Sequence, residues 1–514
     1  MSTLAEMISA CGRNLPLKTA FVQGTRTATW KQVDERSSRF ASALADLGIR
    51  RGDAVAILSQ ERIEVYEHWF GCIKAGAMRV GINWRYSVRE MQHILVDCRP
   101  KLLLVDAHCA ASVPALAPTL AALGCKVVGF GDGHGQLLDY EALLSTTSPA
   151  REPVPYTGDE TVLITYTSGT TGFPKGVMVS ERAVRKAILY TALFSGVSAD
   201  DVWYRPNQSS WIVLIGNSCG LANGVTMVIP DGVFEVKAFL RDIERLRVSV
   251  ALLVPTSLQR MLDECRDGTY DLSSLRTLIY GGGPISPRLL RRAQEELRCR
   301  MVQVYGLTEA TWVSYLRDGD HVSGLAERPA LLESAGTIAT HFEASIRDED
   351  GQPVPSGSIG TLWLRGPCVM SGYLNLPELT ASVLKPDGWL ITHDMGYLDD
   401  SGYLFLKDRK NFLIVTGGVN VYGSAVEAVL AEHPAISEVA VVGLPDERWG
   451  ETVAAVVVVV PGGEIDLAGL RSFCEGKLAR MEIPKRLFTV LELPRTFTGK
   501  IDKVSIRSSL LEQD

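Results

Sequence analysis

A stretch dense in hydroxyl, glycine and lysine residues, TYTSGTTGFPKGV, occupies positions 165–177 and follows the apolar run TVLI. Its hydroxyl groups and the backbone N–H groups freed by glycine can donate to phosphate oxygens, and its lysine adds a compact positive charge. The residues concerned are Thr167, Ser168, Gly169, Thr170, Thr171, Gly172 and Lys175. The stretch therefore predicts a phosphate-binding loop, and a long polar turn is the alternative.

This loop matches neither of the two common nucleotide-binding motifs. A dinucleotide fingerprint needs GxGxxG between a strand and a helix, and in a Walker A loop the lysine is preceded by glycine and followed by Ser or Thr. A second glycine-rich run, GFGDGHG at 129–135, fails the same criteria and is interpreted as a surface loop. The hypothesis that remains is a phosphate-binding loop of another kind.

Further motifs follow in order along the chain. They are YGGGPIS (280–286), VYGLTEA (304–310), DGWLITHDMG (387–396), DRK (408–410), TGGVNVYGSAVE (416–427) and LPRTFTGKID (493–502). Together with the glycine loop, they resemble the signature motifs of the adenylate-forming superfamily, which contains acyl- and aryl-CoA synthetases, peptide-synthetase adenylation domains and firefly luciferases. Segments 29–58 and 75–85 are similar too, so the resemblance covers essentially the whole chain.

The resemblance implies that ATP adenylates a carboxylic acid and that pyrophosphate is released. Charge builds up on the phosphoryl oxygens, so positioned donors, a cation and a metal ion are required. The glycine loop with Lys175 is expected at the β- and γ-phosphates, Thr308 at the α-phosphate, and Glu309 at Mg²⁺ as a hard oxygen ligand. For YGLTE taken alone, the alternative is a helix N-terminus capped by Thr308.

The same resemblance implies an adenosine site. Three glycines would let the backbone approach adenine closely, and Tyr305 offers an aromatic face for stacking. These glycines are Gly281, Gly282 and Gly283. Asp394 is expected to accept hydrogen bonds from the ribose hydroxyls, and Arg409 matches the family's ribose-contacting arginine.

In the second half-reaction of the family, a thiol attacks the acyl-adenylate and AMP leaves. Relatives rotate a small C-terminal domain about a hinge, here Asn411, which withdraws the catalytic lysine used only for adenylation, here Lys500. A glycine-containing loop, here 416–420, then enters, and Gly417 and Gly418 leave room for the pantetheine arm of CoA. The implied cofactors are ATP, Mg²⁺ and CoA.

Several departures from the family pattern fall on the parts that control rotation and the second step. His393 replaces the glycine of TGD, Asn411 replaces an acidic hinge residue, and Val419 replaces a glutamate. YGSAVE lacks the Pro and the first Glu of YPxEVE, and RPNQSSW (205–211) replaces an aromatic or histidine gate. We expect the adenylation chemistry to be kept and the domain switching to be altered.

The acyl pocket is expected near residues that are small or apolar, namely Ser209, Trp211, Val254 and Gly283. No lone Asp or Lys is placed to pair with the charges of an amino acid, so a hydrophobic carboxylic acid is favoured. CoA is the expected thiol acceptor. The alternatives are loading of a carrier protein, thioesterification of an acyl-adenylate made by a partner enzyme, and nucleotide binding without catalysis.

The composition fits an ordinary globular enzyme of 514 residues, with 46% hydrophobic and 22% charged residues. A net charge of −7 gives no general attraction for nucleic acid or anionic lipid. Ten scattered cysteines without a CxxC pair favour a reducing cytoplasm over a disulfide framework. No signal peptide or membrane span is predicted, since the most apolar stretch, 211–230, contains Asn217, Ser218 and Asn223.

The elements that must position these residues alternate between helix and strand patterns, which predicts an α/β fold. We expect a large N-terminal domain, 1–408, of sheets flanked by helices, with a β-rich subdomain beginning near Thr340. A small, mobile α+β C-terminal domain, 409–514, would carry Lys500. Predicted elements include the strands AVAILS (54–59), VALLVP (250–255) and VAAVVVVV (453–460) and a helix over 467–481.

Overall fold

A computed structural model describes residues 2–135, 137–147, 152–167, 173–206, 209–210, 212–267, 270–283, 285–409, 412–496 and 501–512. The chain forms two compact units. The first comprises Met1–Leu332, Gly336–Glu343 and Arg365–Leu390, and the second comprises Glu333–Ala335, Ala344–Leu364 and Ile391–Asp514. The predicted boundary at 408 stays a prediction.

The strands, in chain order, are β1 (Thr19–Gln23), β2 (Arg26–Thr29), β3 (Ala54–Ser59), β4 (Met78–Asn83), β5 (Leu102–Asp106), β6 (Lys126–Phe130), β7 (Leu138–Asp139), β8 (Thr161–Thr167), β9 (Lys175–Ser180), β10 (Val202–Tyr204), β11 (Thr226–Ile229), β12 (Val250–Leu253), β13 (Thr277–Gly281), β14 (Arg300–Leu307), β15 (Thr311–Leu316), β16 (Thr337–Ile338), β17 (Glu343–Arg347), β18 (Gly360–Arg365), β19 (Gly372–Tyr373), β20 (Leu390–Leu398), β21 (Leu404–Arg409), β22 (Leu413–Thr416), β23 (Val419–Tyr422), β24 (Ile436–Asp446), β25 (Gly450–Val459) and β26 (Arg486–Thr489).

The α-helices are α1 (Leu4–Asn14), α2 (Trp30–Asp46), α3 (Ile63–Ala75), α4 (Val88–Cys98), α5 (Val113–Leu123), α6 (Tyr140–Ser145), α7 (Glu181–Ser195), α8 (Val213–Asn217), α9 (Gly220–Asn223), α10 (Val236–Leu246), α11 (Pro255–Glu264), α12 (Pro287–Leu297), α13 (Asp318–Ala326), α14 (Pro377–Val383), α15 (Gly423–Leu430), α16 (Leu467–Cys474) and α17 (Lys503–Leu511). Three short 3₁₀ helices span Ala107–Ser112, Cys265–Asp267 and Pro329–Glu333.

The first unit is built on two large sheets. The nine-stranded sheet has the order β16-β15-β14-β13-β12-β10-β11-β1-β2, and the run from β14 to β1 is parallel. The eight-stranded sheet has the order β19-β9-β8-β4-β3-β5-β6-β7, and the run from β8 to β7 is parallel. Parallel sheets are covered on both faces, and ligands bind beyond the carboxyl ends of their strands.

Helices cover these sheets as their apolar patterns require. Successive residues of a strand point to opposite faces, and alternate residues of β12 and β13 pack with the apolar sides of α10, α11 and α12 in one buried cluster. Helix α3 is buried along nearly its whole length and contacts β1 of one sheet and β3 and β4 of the other. Its sequence VYEHWFGCIKA is apolar around most of its circumference, as a helix covered on several sides requires.

The second unit contains two smaller sheets. One has the order β17-β18-β20-β21, in which β20 and β21 are antiparallel, and it accounts for the alternating, turn-rich texture beyond Thr340. The other contains β23-β22-β25-β24, with β26 added parallel to β25. Odd and even residues of β24 and β25 feed two separate apolar clusters, so both faces of this sheet are buried.

The α/β class with a large unit of sheets and helices and a smaller second unit is confirmed. The predicted helix 467–481 is too long, because α16 ends at Cys474 and Gly476 adopts a left-handed φ of 77°. Within the part of the chain that the structure describes, no helix is long and apolar enough to cross a membrane.

Candidate active site

The glycine loop connects two antiparallel strands of the eight-stranded sheet. Thr167 is the last residue of β8, Lys175 is the first residue of β9, and the two are cross-strand partners. Dinucleotide and Walker A loops lead from a strand into a helix, so this strand–loop–strand arrangement is of a different kind. Residues 168–172, which include most of the predicted phosphate donors, lie outside the described residues.

The base of the loop is held by an aromatic contact. The ring of His93, on α4, stacks on Phe173 with centroids 4.7 Å apart. Its Nε2 lies 3.1 Å from the carbonyl oxygen of Pro174. Sequence reasoning missed His93, because nothing in the local pattern of α4 indicates which distant loop it contacts.

Thr308 and Glu309 lie in the turn between β14 and β15, at the carboxyl end of a parallel strand. The alternative of a helix N-terminus at Thr308 is therefore wrong, since the next element is an antiparallel strand. The turn ends at Thr311, whose φ of 62° is an outlier for a β-branched residue. Such strained residues concentrate at ligand-binding sites, which fits the predicted position beside the α-phosphate.

Tyr373 brings the predicted phosphate-loop lysine and the predicted metal ligand together. Its hydroxyl donates a hydrogen bond of 2.8 Å to Glu309 Oε1, and Lys175 Nζ lies 4.9 Å from the centroid of its ring. Backbone pairing fixes this geometry, because β19, which carries Tyr373, pairs with β9. Sequence analysis did not single out Tyr373, since its role depends on pairing between strands almost 200 residues apart.

The three glycines after β13 have different reasons to be glycine. A Cβ on Gly281 would lie 2.3 Å from the carbonyl oxygen of Val304, so this residue permits close packing of β13 on β14. Gly282 has a φ of 84°, and a Cβ on Gly283 would meet nothing within 4 Å. Gly282 and Gly283 therefore leave an open edge beside half-buried Tyr305, as an adenine site requires.

The predicted acyl residues lie in different environments. Val254 is the N-cap residue of α11 and directly follows β12, and its Cγ1 is 3.7 Å from where Gly282 would carry a Cβ. Ser209 is buried, its hydroxyl donates to Glu61 Oε1 at 2.5 Å, and its N–H donates to Glu61 Oε2 at 2.8 Å. Trp211 lies outside the described residues. Direct contact of these residues with an acid stays a prediction.

The predicted ribose-binding pair is brought together by backbone register. Asp394 on β20 and Arg409 on β21 are cross-strand partners, and the Asp394 side chain is buried. His393 has a φ of 61°, a left-handed conformation that favours glycine. The family's glycine at this position therefore has a conformational reason, and this chain places an exposed histidine there instead.

The predicted thiol-step loop is a tight hairpin. Gly417 and Gly418 join β22 to β23 with φ values of 60° and 78°. Positive φ at both central residues is the requirement of a type I′ turn. The Gly417 N–H donates to the carbonyl oxygen of Trp449 at 2.8 Å, which fixes the turn on the sheet. A Cβ added at Gly418 would have no described atom within 4 Å.

Lys500 and the hinge residue Asn411 lie outside the described residues. The segment that carries Lys500 is closed at its base by an antiparallel bridge between Arg495 and Ile501 and by a 2.8 Å hydrogen bond from the Asp502 N–H to the Pro494 carbonyl. Helix α17 begins three residues after Lys500.

Lys503, the first residue of α17, forms an ion pair with Glu427, the glutamate that ends the YGSAVE motif. Its Nζ lies 2.8 Å from Glu427 Oε1, which also accepts a 2.6 Å hydrogen bond from the Val441 N–H. Burial raises the pKa of Glu427, and the Lys503 charge acts in the opposite direction. Lys503 therefore stabilises the ionised form of Glu427, which burial disfavours.

Replacing Lys503 with methionine should lower the free energy of unfolding by about 1–3 kcal/mol, because Glu427 loses its counter-ion in a largely buried position. The matched control is Lys477→Met, which removes the exposed partner of Glu432 at 3.3 Å and should change stability by less than about 0.5 kcal/mol. Urea unfolding of both variants measures the difference. Equal effects of the two substitutions would show that the Lys503 pair is an ordinary surface contact.

A glycine loop between two paired strands, a glutamate linked to the lysine of that loop through Tyr373, and a second unit in which a buried aspartate has an arginine as its cross-strand partner agree with the pattern of the adenylate-forming enzymes. The chain belongs to this group. Residues 9–374 match the AMP-binding enzyme family, and residues 425–500 match the AMP-binding enzyme C-terminal domain.

Known relatives span the full length of the chain. It is 36% identical to an indoleacetate–CoA ligase of Aromatoleum aromaticum, covering 98% of this chain and 97% of that protein. It is 35% identical to the fatty acid–[acyl-carrier-protein] ligase ScoC of Streptomyces coeruleorubidus, covering 99% and 96%. Among solved structures, ATP-bound MatB of Rhodopseudomonas palustris superposes with a TM-score of 0.89 at 27% identity, over 98% of each chain.

Proposed function

We propose that the protein is an AMP-forming acid–CoA ligase. It adenylates a carboxylic acid with ATP, releases pyrophosphate, and then transfers the acyl group from AMP to the thiol of CoA. The observation that carries the proposal is the cluster in which Tyr373 contacts both Glu309 and Lys175, because it places a cation suited to phosphate near a carboxylate suited to a hard metal ion. Relatives that match nearly the whole chain and are named as CoA ligases or a CoA synthase support the choice of reaction.

The residues present fit a magnesium ion. Glu309 is a half-buried carboxylate, and among the described residues only its Oε1 has a side-chain hydrogen-bond partner, so Oε2 is left for a ligand. Magnesium is bound in such enzymes by one or two carboxylates together with substrate phosphates. When bound, it would neutralise charge on the phosphates, while Thr308 donates to the α-phosphate and Lys175 to the outer phosphates.

The nucleoside would lie on the open glycine edge. Tyr305 stacks on adenine beside Gly282 and Gly283, while Asp394 and Arg409 bind the ribose in this proposal. Lys500 would bridge the attacking carboxylate and the α-phosphate during adenylation only. Substrate positioning and charge stabilisation of this kind supply most of the catalysis in phosphoryl chemistry.

The acyl group would lie near Val254, at the carboxyl ends of the parallel strands. The predicted pocket residues give it apolar or small walls, so the proposed substrate is an acid with a hydrophobic body. CoA is the proposed acceptor. The relative named as an acyl-carrier-protein ligase favours a carrier protein as the second candidate.

Pyrophosphate exchange with a panel of carboxylic acids tests this proposal. Exchange followed by acyl-CoA formation supports it. Exchange with transfer only to a carrier protein favours the second acceptor, and thioester formation only from synthetic acyl-AMP identifies an enzyme that depends on a partner for adenylation. ATP binding without either half-reaction would show a non-catalytic nucleotide-binding protein.

The altered switch residues should bias the enzyme toward the thioester step. An uncharged Asn411 cannot make the ion pairs by which an acidic hinge residue distinguishes two domain orientations, and a differential contact of about 1.4 kcal/mol changes their ratio tenfold. In the variant Asn411→Asp with His393→Gly, we expect the ratio of adenylation to thioesterification to rise by about tenfold. Pyrophosphate release from acid and ATP, and thioester formation from acyl-AMP and CoA, measure the two steps separately.

The single variant His393→Gly serves as the control for conformational strain. Relief of a left-handed φ, about 1–2 kcal/mol, is partly offset by the extra entropy of unfolded glycine, about 0.5–1 kcal/mol, so a net stabilisation of about 0.5–1 kcal/mol is expected. An unchanged ratio of the two half-reactions in the double variant would show that these departures are neutral for switching.

A further inference from the structure

Arg205 is a buried arginine at the end of β10, with 1% of its surface exposed. Its Nε has no hydrogen-bond partner among the described residues. Within the described part of the chain, its guanidinium makes one long hydrogen bond, 3.5 Å from NH1 to the carbonyl oxygen of Val213. A buried guanidinium normally has a carboxylate or several acceptors around it, because desolvation of an unpaired charge is costly.

The surrounding residues hold this guanidinium in place. It lies 5.6 Å from the centroid of the Trp203 ring and 5.4 Å from that of Trp312. A Cβ on Gly216 would lie 1.6 Å from NH1, so only glycine leaves room for the group at this point of α8. The packing around this position therefore suits an arginine, although no carboxylate among the described residues forms an ion pair with its guanidinium.

The carboxylate that interacts electrostatically with Arg205, Glu61, is already engaged by other groups. It accepts hydrogen bonds from Tyr66 at 2.6 Å and from the hydroxyl and N–H of Ser209 at 2.5 and 2.8 Å. A second buried arginine, Arg79, interacts with the same carboxylate and also has unpartnered nitrogens within the described chain. Among the described residues, neither of these two buried arginines makes an ion pair with a carboxylate, and the oxygens of Glu61 already accept hydrogen bonds from Tyr66 and Ser209.

Arg205 remains charged at neutral pH. Burial lowers the pKa of Arg205 to about 10, which is still well above 7. An anionic or strongly accepting ligand would therefore gain a charge-assisted hydrogen bond in a place where water is excluded.

The location of Arg205 indicates what that ligand is. It follows β10, whose neighbour β12 leads directly to Val254, and its partner Trp312 lies on β15, just beyond the turn that holds Glu309. These residues gather at the carboxyl ends of the parallel strands, where the acyl group is proposed to lie. The adenylated carboxylate belongs beside the Thr308 turn, so the unmatched cation remains for a different part of the acid.

We propose that Arg205 is a specificity-determining residue, which binds a second carboxylate at the distal end of the acid substrate. This inference rests on the proposed acid–CoA ligase activity and deepens it, because an acid with a hydrophobic body would then also carry a distal acceptor. The two tryptophan rings would contact that body, while the guanidinium pairs with the terminal group.

A matched pair of acids tests the inference: 4-carboxyphenylacetate, and 4-methylphenylacetate, which lacks the distal carboxylate. In the wild-type enzyme, kcat/KM from pyrophosphate release should be about tenfold or more higher for the carboxy acid. In Arg205→Met, it should fall by about 10²-fold for the carboxy acid and stay nearly unchanged for the methyl acid, with the KM for ATP unaltered. Arg205→Lys should retain part of the preference, since lysine keeps the positive charge but cannot make the two parallel hydrogen bonds of a guanidinium to a carboxylate.

Gly216→Ala provides a second variant that keeps the arginine. Its methyl group occupies the position of NH1, so the guanidinium must move and the preference for the carboxy acid should fall although both acids are still activated. Equal losses for both acids in these variants, or a wild-type preference for the methyl acid, would overturn the inference and leave Arg205 a structural residue. Failure of every acid to support pyrophosphate exchange would instead refute the proposed ligase activity, and the specificity inference with it.

Discussion

Lys500→Ala is expected to lower ATP-dependent adenylation by about 10²–10³-fold, the typical loss when one positioned donor to a developing charge is removed. Conversion of synthetic acyl-AMP and CoA to the thioester should stay close to the wild-type rate. The reason is that the lysine is proposed to contact the α-phosphate only in the adenylating arrangement, whereas the loop at 416–420 is proposed to serve thiol attack.

The two half-reactions are measured separately, by pyrophosphate release from acid and ATP and by acyl-CoA formation from acyl-AMP. Lys477→Ala is the control, because Lys477 is an exposed lysine of the same unit whose partner Glu432 is also exposed. A comparable decline of both half-reactions in Lys500→Ala would remove Lys500 from its assigned role and point to a general effect on the second unit.

Strands that are continuous apolar runs were predictable from the sequence. The run AVAILS forms β3, VALLVP contains β12, and VAAVVVVV forms the C-terminal part of β25 and extends one residue beyond it, since buried strands in such sheets are short continuous apolar runs. The helix over 467–481 was predicted too long, because its apolar spacing continues past Gly476 and the left-handed backbone there is not visible in the pattern.

Residues of contiguous motifs could be named as site candidates from the sequence, and their roles stay predictions. Asp394 and Arg409 come from separate motifs, and strand pairing places them opposite each other. The contacts of Tyr373, His93 and Arg205 could not be predicted from the sequence, because they join distant segments of the chain. A local pattern cannot show that Tyr373 contacts Glu309, or that the guanidinium of Arg205 makes no ion pair with a carboxylate among the described residues.

The turn at 308–311 shows why local interpretation has a limit. A threonine followed by an acidic residue is compatible with a helix cap, and only the antiparallel pairing of β15 on β14 excludes it. The same pairing forces Thr311 into a left-handed conformation that its sequence disfavours. Local preference is overridden here at the very position where the proposed α-phosphate and metal contacts meet.

Glu309→Gln should lower kcat/KM for ATP by roughly 10²-fold, equivalent to about 2.7 kcal/mol of transition-state stabilisation, and should raise the Mg²⁺ concentration needed for half the maximal rate. The substitution keeps the shape of the side chain and an oxygen that can accept from Tyr373, but it removes the charge that a hard cation requires. The KM for the acid should change little, since the acyl group does not contact this carboxylate in the proposed arrangement.

The variant Tyr373→Phe tests how much the orientation of Glu309 matters, because it leaves the charge of this carboxylate unchanged. It deletes the 2.8 Å hydrogen bond to Glu309 Oε1 and keeps the ring against which Lys175 lies. We expect a smaller loss, about tenfold, with the Mg²⁺ dependence shifted in the same direction, because the carboxylate remains but is less firmly positioned. Titration of adenylation against Mg²⁺ at saturating acid distinguishes the two variants. If Glu309→Gln left the Mg²⁺ dependence unchanged, another carboxylate would hold the ion, and the Tyr373 contact would only support the β14–β15 turn.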